Sequence, residues 1–129
     1  MAKVTIRGKE FPLCLTVAAL DQINDKCGGL DKLDSFIVGD GDIGRAYSNT
    51  LWLLALLLEE GEKSRQICAQ FDGNMTESVQ VPTYEQLRSM TTIYTMFQYR
   101  NVCLDAISES MHQDIEASHP KNVENAELE

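Results

Sequence analysis

Apolar and polar residues alternate along the first fifteen positions, a pattern typical of a β-hairpin with one buried face. With a two-residue turn at Gly8-Lys9, Ile6 lies opposite Phe11, and the apolar residues on either side of the turn share one face. We therefore predict a hairpin over residues 2–15. An isolated hairpin is only marginally stable in water, so this face needs helices to cover it.

Apolar residues recur at helical spacing through the following hundred positions, and capping signals divide them into helices. Thr16 is a suitable N-cap, Gly28 a suitable C-cap, and Thr83 with Gln86 forms a capping-box pattern. We predict helices over residues 17–27, 30–37, 43–60, 62–71 and 84–111, the last one broken near residues 90–92.

These elements predict an α+β fold that is mostly α-helical. A single domain over residues 1–111 places the N-terminal β-hairpin on a bundle of about four to five helices. Residues 112–129 carry five acidic residues against one lysine and few large apolar ones. We predict a disordered, acidic C-terminal tail there, in which a first helical turn or two is allowed.

The segment at residues 51–58 is apolar around nearly its whole circumference. Such a helix either lies at the centre of the domain or is shared with another chain, and the sequence leaves both open. In the last helix, Arg100, Asp105 and Glu109 are expected to project away from the apolar stripe. As protein-interaction residues we select Trp52, Leu53, Leu56, Leu57, Tyr94, Phe97, Leu104 and Met111.

Charge and residue types exclude several classes of function. The formal net charge is -9 and the eleven basic residues are scattered, which argues against a nucleic-acid-binding surface. No apolar run approaches the length of a membrane span, and no N-terminal signal peptide is recognisable, so we expect a cytoplasmic protein. The four cysteines form no Cys-x-x-Cys pair, and we expect buried, reduced thiols.

No set of residues with catalytic or ligand-binding spacing is present. The only histidines, His112 and His119, lie in or beside the predicted tail, and no metal-ligand pattern includes them. Asp40 and Asp42 resemble the start of a calcium loop, but Leu51 occupies the twelfth position, where a glutamate is needed. We therefore expect no enzyme, no metal and no cofactor.

Short strings along the chain occur in an informative order: VTIRGKEF at residues 4–11, AALDQI at 18–23, GGLDKL at 28–33, and PTYEQL at 82–87, with the apolar helix between the last two. This order resembles the tail assembly chaperones of long, non-contractile-tailed bacteriophages and related prophages. The resemblance covers roughly residues 3–111.

The resemblance implies a protein that binds and solubilises the tape measure protein and helps recruit tail tube protein during tail assembly. It also implies a homo-oligomer that works in the host cytoplasm and is absent from the mature virion. Two alternatives stay open at this point. The chain could be a structural tail-completion or connector subunit that remains in the virion, or a cytosolic adaptor protein unrelated to phages.

Overall fold

The structure is a computed structural model that describes the backbone of residues 2–118 and the side chains of residues 2–111. An antiparallel hairpin precedes five helices, with short 3₁₀ turns at Leu30–Lys32 and Gly39–Gly41. The elements are β1 (Lys3–Ile6), β2 (Lys9–Pro12), α1 (Val17–Cys27), α2 (Leu33–Val38), α3 (Ile43–Phe71), α4 (Tyr84–Met90) and α5 (Ile93–Ser118).

The predicted class, α+β with an N-terminal hairpin packed on helices, is confirmed. The predicted break near residues 90–92 is also present, since Thr91 and Thr92 separate α4 from α5. The backbone of α5 continues past Met111 to Ser118, within the turn or two allowed for the start of the predicted tail. The remainder of that tail, residues 119–129, lies outside the described residues.

The hairpin turn lies one residue earlier than predicted. Arg7 and Gly8 are the turn residues, with φ of 50° and 83°, and Ile6 lies opposite Lys9 rather than Phe11. A tight two-residue turn of this kind needs positive φ at both positions, and glycine fits best at the second. The pairing therefore shifts by two residues, which leaves every side chain on its predicted face because the strand period is two.

The capping signals at the helix ends are confirmed. Thr16 accepts a hydrogen bond from the Ala19 amide at 3.1 Å, and Thr83 forms both halves of a capping box with Gln86. Gly28 ends α1 with φ of 93°, a conformation that glycine adopts at no steric cost. Local sequence therefore determines where these helices begin and end.

Helix α3 is the central element and is continuous, so the predicted division into helices over residues 43–60 and 62–71 is wrong. It packs against α1, α2, α4, α5 and β2. Gly61 is buried within it, and a Cβ atom there would collide with the Pro12 carbonyl oxygen. The glycine therefore allows the end of β2 to approach the helix, and does not end the helix.

Helix α5 lies beside α3 and runs in the same direction. Near its start, Met96 lines a cavity with Tyr47 of α3. Near its other end, the Ser110 hydroxyl accepts a hydrogen bond from the Leu15 amide at 3.2 Å. The backbone amide of Cys14, the residue before Leu15, donates to the Leu57 carbonyl oxygen of α3 at 3.4 Å. The residues after β2 thus lie between the later parts of both helices.

The long loop over residues 72–83 is held to α3 by a glutamate that is almost fully buried. Glu62 accepts two hydrogen bonds from Arg65, at 2.8 and 2.9 Å, one from Gln66 at 2.9 Å and one from the Val79 amide at 2.8 Å. Arg65 in turn donates to the Glu77 carbonyl oxygen at 2.6 Å. Hydrogen bonds from Arg65, then from Gln66 and Val79, lower the pKa of Glu62 to about 2, against opposing desolvation.

Candidate interaction surface

Helix α5 has one face in the core, which fixes its rotation about its own axis. Met96, Tyr99, Cys103 and Ala106 are all buried on that face. Burial raises the pKa of the Cys103 thiol to about 12, so this sulfur stays protonated and is a packing group. The residues on the neighbouring edge of α5 are consequently held in place at the surface.

That edge carries a regular row of mostly apolar side chains, which we call the α5 seam. Successive members are separated alternately by four and three residues, the spacing of the a and d positions in a coiled coil. Because this spacing keeps a row on one side of a helix, the members face a common direction. The α5 seam consists of Ile93, Phe97, Arg100, Leu104, Ile107 and Met111.

Most of the α5 seam is exposed to solvent in the described structure. Ile93 is 74% exposed, Phe97 75%, Leu104 36% and Met111 49%, while Ile107 lies at the border of the core at 9%. Tyr94, beside the seam, is 85% exposed. Together these side chains offer on the order of 500 Å² of apolar surface, near the upper end of the largest patch on a typical monomer.

A shallow groove separates the α5 seam from the start of α3 and the end of α2. It contains a cavity of about 90 Å³ lined by Ile37, Ala46, Tyr47, Thr50, Met96, Phe97 and Arg100. Two exposed apolar residues neighbour these lining residues in sequence: Val38, which is 50% exposed, follows Ile37, and Ile43, which is 67% exposed, lies one helical turn before Tyr47. The seam therefore forms one wall of a partly apolar groove.

The interaction residues predicted on the last helix lie at or beside this seam. Phe97, Leu104 and Met111 are members, and Tyr94 flanks it. The structure thus brings together four of the eight selected residues along a single exposed helix edge.

Most of the interaction residues predicted on the apolar segment of α3 are buried in the folded chain. Leu53 and Leu57 are 0% exposed, so a partner cannot reach them without opening the core, and Leu56 is 5% exposed at the wall of a surface groove. Trp52 is half-buried, with the Phe36 ring edge-on at 5.6 Å and the Lys26 ammonium 5.5 Å from its ring centre. Of the two interpretations of this helix, the structure has the central one, because five other elements surround it.

Three residues of the seam were missing from the selected set, and one of them, Ile107, is nearly buried. Ile93 was left out of the selected set, and Arg100 was expected to project away from the apolar stripe. The structure places Arg100 in the same cavity wall as Phe97. The alternating steps of four and three residues through Ile93, Phe97, Arg100 and Leu104 were the available signal.

Further concave regions lie elsewhere on the described surface. Trp52 and Leu56 line a groove of about 460 Å³ with the chain over residues 80–84, and Arg7 and Lys9 border another of about 480 Å³ near the hairpin turn. Neither groove brings together a nucleophile, a base and an orienting group.

The thiols and acidic groups assemble no metal site in the part of the chain that the structure describes. No group of three or more His, Cys, Asp or Glu side chains is close enough there to hold a metal ion. Cys14 and Cys27 are half-buried and Cys68 is exposed, which corrects the expectation that all four thiols are buried. Over the same residues, no helix has the length and apolarity needed to cross a membrane.

Comparisons with known proteins add no assignment to this surface. The chain matches no protein-family model, no curated protein and no solved structure. The α5 seam and the groove beside it are therefore the features of the molecule that indicate a function.

Proposed function

We propose that this protein is an interaction protein rather than an enzyme, and that it binds a helical segment of a partner along the α5 seam. The observation that carries the proposal is the exposed apolar row at a and d spacing on a helix whose other face is fixed in the core. A second helix packed at such a row buries it by inserting side chains between its members.

The resemblance in sequence layout supports a more specific proposal, a phage tail assembly chaperone. Its partner is then the tape measure protein, a long helical chain that the seam keeps soluble while tail tube protein is recruited. The protein acts in the host cytoplasm and is absent from the finished virion. A seam that receives a helix suits such a client, since binding covers apolar surface on both chains.

The apolar helix α3 does not support the expected homo-oligomer, because its leucines are buried within one chain. Self-association stays part of the proposal and rests on the resemblance alone, since a client helix would occupy the α5 seam. Sedimentation of the wild type tests it. A dimer or larger species supports self-association, and a monomer contradicts it.

Co-expression with the tape measure protein of the same genome tests the function. We expect the wild type to raise the soluble yield of that protein and to co-elute with it, and Phe97→Asp to lose both effects. Phe71→Asp is the matched control, because Phe71 is 90% exposed at the end of α3 and outside the α5 seam. Circular dichroism should show both variants folded, since neither residue is in the core.

The possible outcomes separate the candidate functions. Failure of the wild type to solubilise or bind the tape measure protein contradicts the chaperone proposal. Mass spectrometry of purified particles distinguishes the structural alternative, because a tail-completion or connector subunit is present in virions and a chaperone is not. Equal loss in the Phe71→Asp control contradicts the assignment of the α5 seam as the binding surface.

A further inference from the structure

Arg100 is the one charged member of the α5 seam. It occupies a d position between Phe97 and Leu104, and its side chain is exposed. No acidic residue lies three or four positions away on α5, the distances at which helical side chains meet. Among the described residues, Arg100 forms no hydrogen bond or ion pair.

A helix that docks on the seam removes the Arg100 guanidinium from much of its water. A charge that is desolvated without a partner opposes binding, whereas a carboxylate placed against it restores two charge-assisted hydrogen bonds. A single polar residue in an otherwise apolar a/d row also discriminates between registers, because only one alignment pairs it.

We infer that the partner helix carries an Asp or Glu within its own apolar a/d row, and that pairing of this carboxylate with Arg100 sets the register of docking. The inference rests on the proposed function and names the partner chemistry of the same surface. Because the chain has a net charge of -9, further acidic residues on the partner would be repelled, so the carboxylate is a local feature of an otherwise neutral or basic helix.

A second copy of this chain does not supply the carboxylate opposite Arg100 when two α5 helices pair in parallel and in register. A parallel, in-register α5 pair would place Arg100 beside its own counterpart, and like charges at close range repel. The occupant that the seam favours is therefore a different helix, with the opposite charge at the matching position.

Two synthetic helical peptides of about 28 residues test the inference. Both carry Leu and Ile at a and d positions, and they differ only in the central d residue, which is Glu in one and Lys in the other. Binding to the full chain is measured by fluorescence anisotropy at low and at physiological salt. We expect the Glu peptide to bind about fivefold more tightly than the Lys peptide, with a smaller ratio at higher salt.

Three variants complete the design. Arg100→Glu should reverse the preference between the two peptides, whereas Arg7→Glu, in the hairpin turn, should leave it unchanged. Phe97→Asp should weaken both peptides alike, which identifies the α5 seam as the binding site.

The outcomes test this inference separately from the proposed function. If the peptides bind equally to the wild type and to Arg100→Glu, while Phe97→Asp still abolishes binding, docking on the seam stands and the register role of Arg100 is overturned. If neither peptide binds the wild type, the inference is overturned, whereas the chaperone proposal is decided separately by co-expression with the tape measure protein.

Discussion

Replacing Glu62 with Gln should lower the free energy of unfolding by about 2 kcal/mol at neutral pH. The side chain is 11% exposed and accepts four hydrogen bonds that join α3 to the loop over residues 72–83. Gln keeps one acceptor but turns an NH2 group toward donors, and it removes the charge that pairs with Arg65. The expected loss of stability is only that of one or two charged hydrogen bonds, because Arg65 is 33% exposed and water can replace part of the lost hydrogen bonding.

The effect should depend on pH in a defined direction. The pKa of Glu62 is lowered from 4.5 in the unfolded chain to about 2 in the fold, chiefly by the hydrogen bonds from Arg65. The folded state therefore favours the ionised form, and its contribution is fully present above pH 4.5. As pH falls from 4.5 toward 2, protonation removes that contribution, so the difference between the wild type and Glu62→Gln should shrink.

Urea denaturation followed by circular dichroism at pH 7, 5 and 3 measures this difference. Glu59→Gln is the matched control, since Glu59 is 56% exposed and its single described ion pair, to Lys63, spans 3.7 Å. That variant should change stability by less than about 0.5 kcal/mol. Equal effects of the two substitutions, or a Glu62→Gln effect that grows at low pH, would refute the reasoning.

Three further substitutions, one of them with a matched control, test the packing and capping. Gly61→Ala should lower the free energy of unfolding, measured by chemical denaturation, by about 2 kcal/mol or more, because the new methyl group collides with the Pro12 carbonyl. The control Gly44→Ala should be neutral or slightly stabilising, because its Cβ meets only Asp42 Oδ1 at 3.4 Å. Leu57→Asp should abolish the folded circular dichroism spectrum, since it buries an unpaired carboxylate at a 0% exposed site; a folded, smaller species would instead indicate an interface. Thr83→Ala should lower stability by about 1 kcal/mol in thermal unfolding, and an unchanged midpoint would show that the capping box contributes little.

Local signals in the sequence were sufficient for much of this fold. Caps at Thr16 and Thr83 and the left-handed glycine at Gly28 act through hydrogen bonds within a few residues, so their positions could be predicted without tertiary structure. The hairpin faces were predictable for the same reason, although the turn was placed one residue late. Gly8 fits either turn position by residue type, and only the conformation shows that it takes the second.

The errors concern features that depend on residues distant in sequence. Gly61 looked like a helix end, but its role is to admit the backbone of β2, which is a tertiary contact. Leu53, Leu56 and Leu57 were selected as interaction residues, because the sequence does not show which elements bury them. The number of elements around α3, including the hairpin, is set by topology and could not be counted from periodicity.

The candidate surface was only partly predictable, for a related reason. Helical spacing identified Phe97, Leu104 and Met111, but it gave no indication of which side of the helix faces α3. Arg100 was placed on the wrong face because a charged residue is normally assigned to open solvent. The structure shows it at the edge of the groove, beside Phe97.

The hydrogen bond from the Leu15 amide to Ser110 has a consequence for synthesis on the ribosome. It joins positions 95 residues apart, and β1 packs directly on α5. The hairpin leaves the exit tunnel well before α5, one of the helices that cover it. At a translation rate of roughly 5–20 residues per second, Val4 and Phe11 are synthesised on the order of 5–20 s before the end of α5. The apolar side chains of the hairpin are therefore exposed to aggregation until α5 has been translated.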